Sequence, residues 1–567
     1  MEGYNIHPSR AQESRASIQR LYIAMRHLFI RGGYKPLGVS GEAMINALLS
    51  LKPEIYGSIA DEEKVELTGL LYIFQRLPEG IEQCRYIKLI SREGFEHTHF
   101  TPIVPSKRRR NCYRIDEEQM FIEMTRGRSD IYDVLTHLTF MFIESEKIRK
   151  NSLDSKNRKN RSWVMLEKII DKLYKGEEFN KEVGYTYLST ILGRTYDETA
   201  SACQNFEEAI KVNNIFEITY WMGKLSMDEY LEDVDREITF SSALREKLGH
   251  HVYGDKWASN IKSFIYDEGW HDRKVHIISS NLHSVMNTLY AKAALHDQMK
   301  GKSLEDIAEE LSRENNNRLR AIVRDYALDH GMVEIHDNSG TNITVQLFDC
   351  RQIKEELLPV ELKLEYGIDE QSLIMVMDYA FGEQAYETMD ELLKPFDFNG
   401  SPQPFNVSSI NIMGKAGILC GKKGDILIPS AHVFEGSADN YPIDNLLSKD
   451  QFVDDEIDVY EGPMISVLGT SLQNKDILRY FMNSSWRVIG LEMEGAHYQK
   501  AIQSASKIRH SVNEDIDLRY AYYASDNPLE TGSTLASGSL GLDGVRPTYM
   551  ITVEILKGIF NTTKSDH

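Results

Sequence analysis

Two acidic motifs near the C-terminal end of the chain carry side chains suited to chemistry on a sugar and its leaving group. The first is Glu492-Met493-Glu494, which ends an apolar run and precedes Gly495. Side chains alternate along a strand, so a strand that continues to Glu494 places both carboxylates on one face and Met493 on the other. A carboxylate can accept two hydrogen bonds from a vicinal diol, and a thioether gives a soft apolar contact to a base or sugar. The alternative interpretation is a pair of surface acids that flank a core methionine.

The second motif follows the apolar run LRYAYYA, which delivers Ser525 and Asp526 immediately before Asn527 and Pro528. A proline ends regular structure, so we expect Asp526 at the end of a strand. A carboxyl group in a partly dry site can have a raised pKa and protonate a leaving group, and a purine nitrogen is a leaving group that requires a proton. The alternative is an aspartate that caps a turn.

A glycine-rich segment, NIMGKAGILCGKKGDILIPS, precedes both motifs. Gly414 and Gly417 permit a ligand to approach the backbone closely, and Lys415 lies between them. Gly424 and Asp425 make a tight turn into the strand that follows. Glycine-rich turns alone are weak evidence for a phosphate or sugar site.

From about residue 265 onward, apolar runs of strand length alternate with helical patterns. The predicted strands are KVHIISSN, NITVQLFD, SLIMVMDYAFG, SSINIMGKAGIL, GDILIPSAHVF, MISVLGT, RVIGLEMEG and LRYAYYASD. Helical patterns follow several of them, as in LHSVMNTLYAKAAL and GAHYQKAIQSASKI. This alternation predicts an α/β fold with a twisted, largely parallel or mixed sheet, and such sheets bind ligands at the carboxyl ends of their strands.

Residues 1–260 are predicted to form a separate, mostly α-helical domain, and residues 265–567 the α/β domain. Segments such as RASIQRLYIAMRHLFIRGG and SDIYDVLTHLTFMFIESEKIRK place apolar residues at intervals that give each helix one buried stripe. The basic run from Lys147 to Arg161 is predicted to be an exposed connection, with contact to a polyanion as the alternative. The basic cluster Lys107–Arg110 could grip a phosphate, which is a weak signal by itself.

Taken together and in this order, MGKAGIL with KKGDILIPS, LEMEGAHY and ASDNPLETG resemble the motifs of the nucleoside phosphorylase and nucleosidase superfamily. The extended SDNPLETGS, followed by the late helix VRPTYMITVEILKGI, looks most like the AMP nucleosidase branch, and MVMDYAFGEQAYETMDELL resembles the strand, glycine turn and helix of that family. The resemblance covers residues 370–567 well and 265–370 loosely. It implies a twisted mixed sheet flanked by helices.

Carried over to this chain, the resemblance implies that Asp526 protonates or hydrogen-bonds purine N7, with Ser525 beside it. Glu494 would hold the ribose hydroxyls and, as an anion, stabilise the oxocarbenium-like ribosyl cation that the departing base leaves behind. Met493 would pack against the nucleoside. Roles in substrate binding are also predicted for Glu492, Gly414, Lys415, Gly417 and Arg546.

The identity of the nucleophile depends on two departures from the superfamily pattern. Its phosphorylases place an arginine two residues before the first glycine of the glycine-rich segment, where this chain has Ile412. Loss of that bidentate phosphate ligand favours water as the nucleophile, with phosphorolysis as the alternative. Lys415 and Arg546 could instead bind the 5′-phosphate of a nucleotide substrate. Hydrolases of the superfamily commonly use an acidic residue after the first strand to activate water, but the corresponding segment HIISSNLHS contains no carboxylate. His283 in this segment is either a catalytic base or a residue at the start of a helix. The water-activating residue stays unassigned.

Composition limits the class of protein. The chain has 567 residues and a formal net charge of −21, which argues against a protein that coats nucleic acid, because that task needs a positive surface. No run of roughly 20 uncharged apolar residues can cross a bilayer, and MEGYNIHPSR lacks the apolar core of a signal peptide, so we expect a cytoplasmic protein without a membrane partner. Five cysteines without a CxxC pattern predict buried reduced thiols. We predict no cofactor and no metal.

The leading hypothesis is an enzyme that hydrolyses the N-glycosidic bond of a purine nucleoside or nucleotide, AMP-like substrates first, and releases the free base. The alternatives are a phosphorolytic purine nucleoside phosphorylase and a non-catalytic nucleotide sensor whose helical domain is the effector. Nucleic-acid binding through residues 147–161 is the least favoured hypothesis because the net charge is negative. The resemblance implies a homo-oligomer.

Overall fold

The computed structural model describes residues 9–210, 214–398, 400–437, 439–530 and 540–561. The chain divides into two compact units. The first contains Met1–His250 and Ser471–Ile477, and the second contains His251–Thr470 and Leu478–His567. No described helix is long and apolar enough to cross a membrane.

The first unit combines α-helices with a small sheet. Its described helices are α1 (Arg10–Arg31), α2 (Val39–Leu51), α3 (Leu67–Phe74), α4 (Gly127–Ser152), α5 (Arg161–Tyr174), α6 (Lys181–Leu192), α7 (Tyr196–Ala209), α8 (Ile215–Glu232) and α9 (Ser242–Gly249). Its strands are β1 (Gly33–Tyr34), β2 (Tyr86–Ile90), β3 (Cys112–Arg114), β4 (Gln119–Glu123) and β5 (Glu237–Phe240).

The predicted apolar stripes form helices with clear ends. A capping box between Ser9 and Gln12 starts α1, and Gly32 ends it with a φ of 95°, a left-handed conformation that glycine adopts without strain. The buried side of α1 carries Ile18, Leu21, Met25 and Leu28.

The sheet of the first unit was not predicted from the sequence. Its strand order is β1-β5-β2-β4-β3, with β2 parallel to both β4 and β5. Each of β2 and β4 has only five residues, and both lie in a chain whose helices reach 22 and 26 residues. Strands this short give too few repeats for a period of two to stand out against a helical period.

The basic run predicted as an exposed connection is partly helical. Helix α4 continues through its first residues, and only residues 153–160 connect α4 to α5. Lys147 is buried, forms an ion pair with Glu144 at 2.9 Å and donates to two backbone carbonyls. In the connection, Arg158 pairs with Asp154 at 2.7 Å. These cations are used within the protein.

The second unit is a mixed α/β structure. Its described helices are α10 (Val252–Asp267), α11 (Leu282–Ala294), α12 (Leu304–Ser312), α13 (Asn317–Asp329), α14 (Gln384–Leu392), α15 (Lys475–Asn483), α16 (Gly495–Gln503) and α17 (Val545–Asn561). The first three residues of α15 belong to the first unit. Its strands are β6 (Lys274–Ser279), β7 (Met332–Ile335), β8 (Val345–Asp349), β9 (Ser372–Met377), β10 (Phe396–Phe398), β11 (Ser401–Gln403), β12 (Val407–Ile418), β13 (Ile426–Phe434), β14 (Asn440–Pro442), β15 (Val459–Ser466), β16 (Gly490–Glu492) and β17 (Asp517–Asp526).

A ten-stranded sheet forms the centre of this unit. The strand order is β14-β13-β15-β16-β12-β6-β9-β8-β7, and β17 pairs with β12 and β13. Strand β12 is parallel to β6 and β17 and antiparallel to β16, and β6 is parallel to β9. The predicted mixed sheet is therefore confirmed for this unit.

Apolar residues cover the sheet on both faces. Ile277 and Ile278 are neighbours on β6 and belong to different core clusters, as do Tyr520 and Ala521 on β17. Helices α10, α14 and α16 contribute to one cluster, and α11, α12, α13 and α17 to the other. Because α10 packs on α14, the second unit begins at His251, before the predicted boundary.

Candidate active site

The candidate site lies where four parallel strands of the second unit end. Ile412 of β12 pairs with Ser279, the last residue of β6, and also with Tyr520 of β17. Strands β12 and β17 continue together beyond that level until Gly417 lies opposite Asp526. Such an edge is where α/β sheets bind ligands.

Gly417 joins the two acidic motifs. It pairs with Asp526 on one side and with Leu491 on the other, directly before Glu492. Neighbouring strands lie about 4.8 Å apart, so the ends of β16 and β17 are separated by the width of one strand. The sheet therefore brings the two motifs together, although they are distant in sequence.

The turn after β16 differs from the prediction. The strand ends at Glu492, and Met493 and Glu494 belong to the turn that leads into α16. The alternation that would place both carboxylates on one face does not extend past the strand. Glu492 is 2% exposed and Met493 is also buried, whereas Glu494 is half-buried.

Glu492 uses both of its carboxyl oxygens within the protein. Its Oε2 accepts hydrogen bonds from the N–H groups of Glu494 and Gly495, and its Oε1 accepts one from Ser466 Oγ. Burial and the nearby charge of Glu494 raise the pKa of Glu492 to about 8, against the effect of these hydrogen bonds. The bonds satisfy donors at the start of α16 and fix the turn that carries Glu494.

Glu494 is held by the loop that follows β9. The N–H of Gly382 donates to Glu494 Oε1 at 2.9 Å. One helical turn further along α16, the hydroxyl of Tyr498 lies 2.8 Å from Ser279 Oγ at the end of β6. These contacts connect the ends of three strands around the Glu494 carboxylate.

Asp526 is a buried carboxyl group with unused hydrogen-bonding capacity. It is 5% exposed and ends β17. The hydroxyl of Ser525 lies within hydrogen-bond distance of both Asp526 Oδ1 and the Ala416 carbonyl, and its single proton can serve only one of them. Asp526 Oδ2 has no hydrogen-bond partner among the described residues.

Opposing effects act on the acidity of Asp526. Burial is the largest and raises the pKa of Asp526, while the Ser525 hydrogen bond and the charge of Lys415 work against the rise. Burial also lowers the pKa of Lys415, which Asp526 opposes. Asp526 and Lys415 are therefore close enough at the strand ends for the charge of each to act on the pKa of the other.

A cavity of about 770 Å³ adjoins these strand ends. Asn281, Tyr379, Lys415 and Tyr523 line it from the sheet, and α17 lines it from the other side. Its volume falls in the range of small-molecule sites. Of the described residues singled out in the sequence, Lys415 and His283 line this cavity, whereas Glu494 and Asp526 do not.

One glycine of the glycine-rich segment packs closely against a neighbouring strand. A Cβ built on Gly414 would lie 3.2 Å from the ring of Tyr522, so a close approach of that buried tyrosine explains the glycine. The hydroxyl of Tyr522 lies 3.0 Å from His432 Nε2. Burial lowers the pKa of His432 to about 3, which keeps this imidazole neutral.

Arg546 lies apart from the other predicted residues. It lines a different cavity, and its guanidinium pairs with Asp454 at 2.6 Å, Glu456 at 2.6 Å and Glu305 at 3.5 Å. Three carboxylates already compensate its charge. The structure therefore does not bring Arg546 together with Lys415.

Two residues at the strand ends were missed in the sequence. Tyr379 follows β9 and lines the cavity, and burial raises the pKa of its hydroxyl well above the usual value. Asp378 directly follows the buried run of β9, and its charge acts on His283 and Tyr498. The rule that located Asp526, a carboxylate at the end of an apolar strand, applies equally to Asp378. The SDNPLETGS motif lies outside the described residues from residue 531 onward.

One group of side chains has the spacing of a metal site. His251, Asp390 and Glu391 offer ligand atoms within 4.8 Å of one another. Arg509 pairs with Asp390 at 2.7 Å and Lys394 pairs with Glu391 at 2.6 Å. Because these cations compensate the carboxylates, the group is accounted for as an ion-pair cluster.

A protein-family model described as "Family of unknown function (DUF6909)" matches residues 42–561. No curated protein matches the chain.

Among solved structures, a 5′-methylthioadenosine/S-adenosyl homocysteine nucleosidase of Campylobacter jejuni is 10% identical and covers 50% of this chain and 99% of its own, with a TM-score of 0.30. A futalosine hydrolase of Helicobacter pylori is 14% identical and covers 50% of this chain and 97% of its own, with a TM-score of 0.29. A uridine phosphorylase of Schistosoma mansoni is 13% identical and covers 52% of this chain and 91% of its own, with a TM-score of 0.31. At these TM-scores the likenesses support no argument about activity.

Proposed function

The chain belongs to the family of unknown function whose model spans residues 42–561, and we propose that its second unit hydrolyses the N-glycosidic bond of a purine nucleotide or nucleoside. The observation that carries the proposal is Asp526, a buried carboxyl group with a raised pKa. Its Oδ2 has no hydrogen-bond partner among the described residues. A carboxyl group of this kind is suited to give a proton to a ligand.

In the proposed reaction Asp526 is the general acid. The bond between C1′ and N9 breaks with its electron pair passing to the purine, and the Asp526 proton passes to N7. A water oxygen forms the new bond to C1′ and gives up its proton. The products are the free base and ribose or ribose 5-phosphate, and the proton balance is closed when solvent returns a proton to Asp526.

Glu494 stabilises the sugar in this scheme. The departing base leaves positive charge on the ribosyl group, and a fixed carboxylate lowers the free energy of that cation. The N–H of Gly382 and the neighbouring Glu492 hold Glu494 in position. Its carboxylate is thereby preorganised before the charge develops.

For the base that takes the proton from water we propose Asp378. Met377, the residue before it, pairs with Ser279 at the end of β6, so Asp378 lies next to the strand end that lacks an acid. Asp378→Asn should lower the rate of base release about a hundredfold, and formate should restore part of the activity of Asp378→Ala. An unchanged rate in Asp378→Asn would remove this residue from the reaction.

A nucleotide of the AMP type is the substrate that the charges of the cavity favour. Lys415, Arg313 and Arg320 line the cavity, with Glu314 as the acidic residue among its described lining. A phosphate group can interact favourably with such a surface. Arg546 has no part in this proposal because three carboxylates bind it.

The test is to incubate the purified chain with AMP, adenosine, inosine and GMP, with and without phosphate, and to separate the products by chromatography. Free base without phosphate supports hydrolysis, and AMP should be the best substrate. Free base that appears only with phosphate would contradict hydrolysis and support phosphorolysis. Binding without release of base would contradict an enzyme and support a non-catalytic nucleotide sensor. Asp526→Asn, prepared in parallel, is the control for a contaminating activity, and light scattering tests the proposed homo-oligomer.

A further inference from the structure

Helices α1 and α2 of the first unit pack against each other and form a groove with a volume of about 690 Å³. Residues three and four positions apart line it from both helices, so each helix presents one face to the groove. The residues at this spacing are Arg20, Ile23 and His27 of α1 and Val39, Ala43 and Asn46 of α2. We name this surface the α1–α2 groove.

Large apolar side chains are exposed along this pair of helices. Ile23 and Val39 line the α1–α2 groove and are 66% and 87% exposed. Ile30, which is also 66% exposed, lies two helical turns after Ile23, and the exposed Leu37 lies just before α2. Single exposed apolar residues are ordinary, but four of them close together on one pair of helices indicate a surface that binds another molecule.

The core of the first unit does not account for these residues. Helix α1 already buries a separate stripe that contains Ile18, Leu21 and Met25. Ile23 and Ile30 are exposed and lie outside that stripe, so folding removes little of their apolar surface from water. A helix with a second, exposed apolar stripe can bury it only against something outside its own unit.

The surface beside the α1–α2 groove is positively charged, in a chain whose net charge is −21. Helix α1 contains five arginines and one glutamate, and α2 contains one glutamate and no arginine or lysine. Arg20 lines the groove and donates to two uncharged oxygens of α1, and Arg31 donates to the hydroxyl of Ser40. These bonds leave both charges uncompensated by a carboxylate among the described residues, which favours an acidic occupant.

Two other occupants suit this surface less well. A second copy that inserted its own α1 would bring the same arginines to Arg20 and Arg31, and like charges repel. Anionic lipids attract basic residues, but a flat bilayer does not fill a groove between two helices. An amphipathic helix presents a ridge of apolar side chains that fits such a groove, and acidic residues beside the ridge would match the arginines.

We propose that the α1–α2 groove binds an acidic amphipathic helix of another protein. The apolar side chains of that helix would cover Ile23 and Val39, and its carboxylates would face Arg20 and Arg31. The site belongs to the first unit and does not depend on the activity proposed for the second.

The test measures binding of labelled synthetic peptides to the full chain by fluorescence anisotropy. The first peptide has about 18 residues, with leucines repeating at positions i, i+3, i+4 and i+7 and with glutamate and alanine elsewhere. The second peptide has the same composition in scrambled order, and the third has lysine in place of glutamate. We expect saturable binding of the acidic amphipathic peptide and binding at least about tenfold weaker for the other two.

Variants of the groove locate the binding site. Ile23→Asp should weaken binding of the acidic peptide about tenfold or more, because burial of an isoleucine side chain contributes at least that factor. Arg20→Glu should weaken binding of the acidic peptide and tighten binding of the lysine peptide, since the charge beside the groove is reversed. Ile508→Asp, at an isoleucine 75% exposed in the second unit, is the matched control and should bind as the wild type does.

Equal binding of the three peptides, equal affinity of Ile23→Asp and Ile508→Asp, or no saturable binding would overturn the proposal. Vesicles of phosphatidylserine and phosphatidylcholine that bind the wild type but not Ile23→Asp, without binding of the acidic peptide, would assign the surface to a membrane. A dimer in light scattering that Ile23→Asp converts to a monomer and Ile508→Asp does not would assign it to a second copy. If Ile23→Asp does not fold by circular dichroism, Arg20→Glu decides, because damage to the fold does not tighten binding of the lysine peptide.

Discussion

Glu492 and Asp526 make an informative pair. Each is the last residue of a strand, each carboxyl group is buried, and burial raises the pKa of each. They differ in their hydrogen bonds. Both oxygens of Glu492 accept from protein groups, whereas Asp526 Oδ2 has no partner among the described residues.

The comparison shows that burial and a raised pKa do not by themselves distinguish a positioning acid from one that acts on a ligand. Both residues have these properties, and in Glu492 both carboxyl oxygens already accept hydrogen bonds from the protein. The unused oxygen of Asp526 is the feature that separates them. If this distinction is correct, substitutions at the two residues should have very different effects on base release.

Asp526→Asn should produce the largest effect. The substitution is nearly isosteric but removes the proton donor, so kcat for base release should fall about a thousandfold, within the range of general acid catalysis. Binding of AMP measured by titration should persist, because the fold is unchanged. A parental rate in a folded Asp526→Asn preparation would contradict the assignment.

Glu494→Gln should produce the next largest effect. The charge that stabilises the ribosyl cation is lost, and kcat should fall about a hundredfold while KM changes less. Steady-state kinetics on AMP and adenosine provide the measurement. Unchanged kinetics on both ribosides would exclude Glu494 from the sugar site.

Lys415→Met should change the pH profile more than the maximum rate. The charge of Lys415 lowers the pKa of Asp526, so removing it should raise that pKa. An acid works only while protonated, and activity falls as pH rises through its pKa. The alkaline limb of kcat/KM should therefore move to higher pH in the variant. A limb that moves to lower pH, or does not move, would contradict the coupling between Lys415 and Asp526.

Glu492→Gln should have the smallest effect on catalysis, less than about tenfold, because both carboxyl oxygens of Glu492 accept hydrogen bonds that fix the turn. Its effect should appear in stability. The folded protein holds the Glu492 proton up to a pKa of about 8, and the unfolded chain releases it near the ordinary glutamate value. Between these values the wild type should lose stability as pH rises, relative to the variant. Parallel curves of Tm against pH for the two proteins would contradict this.

Much of the second unit could be predicted from its sequence. Strands β6, β9, β12 and β17 are apolar runs bounded by turn residues, and their burial on both faces makes such runs visible. The same rule placed Asp526 at a strand end. It did not place Glu494 correctly, because the sequence does not show that β16 stops two residues earlier.

Contacts between distant segments could not be read from the sequence. The acids that bind Arg546 include Asp454 and Glu456, which come from a segment about ninety residues earlier, and only the folded chain brings them together. The N–H that holds Glu494 belongs to Gly382, in a loop 112 residues before it. The sheet of the first unit was missed for a local reason, the shortness of β2 and β4.

The most direct test measures release of free base from AMP in phosphate-free buffer by the wild type, Asp526→Asn and Glu492→Gln, at equal concentrations of folded protein. We expect release by the wild type, a rate within about tenfold of it for Glu492→Gln, and loss of about a thousandfold for Asp526→Asn. Equal rates for the two variants, or no release by the wild type, would contradict the roles proposed for Asp526 and Glu492.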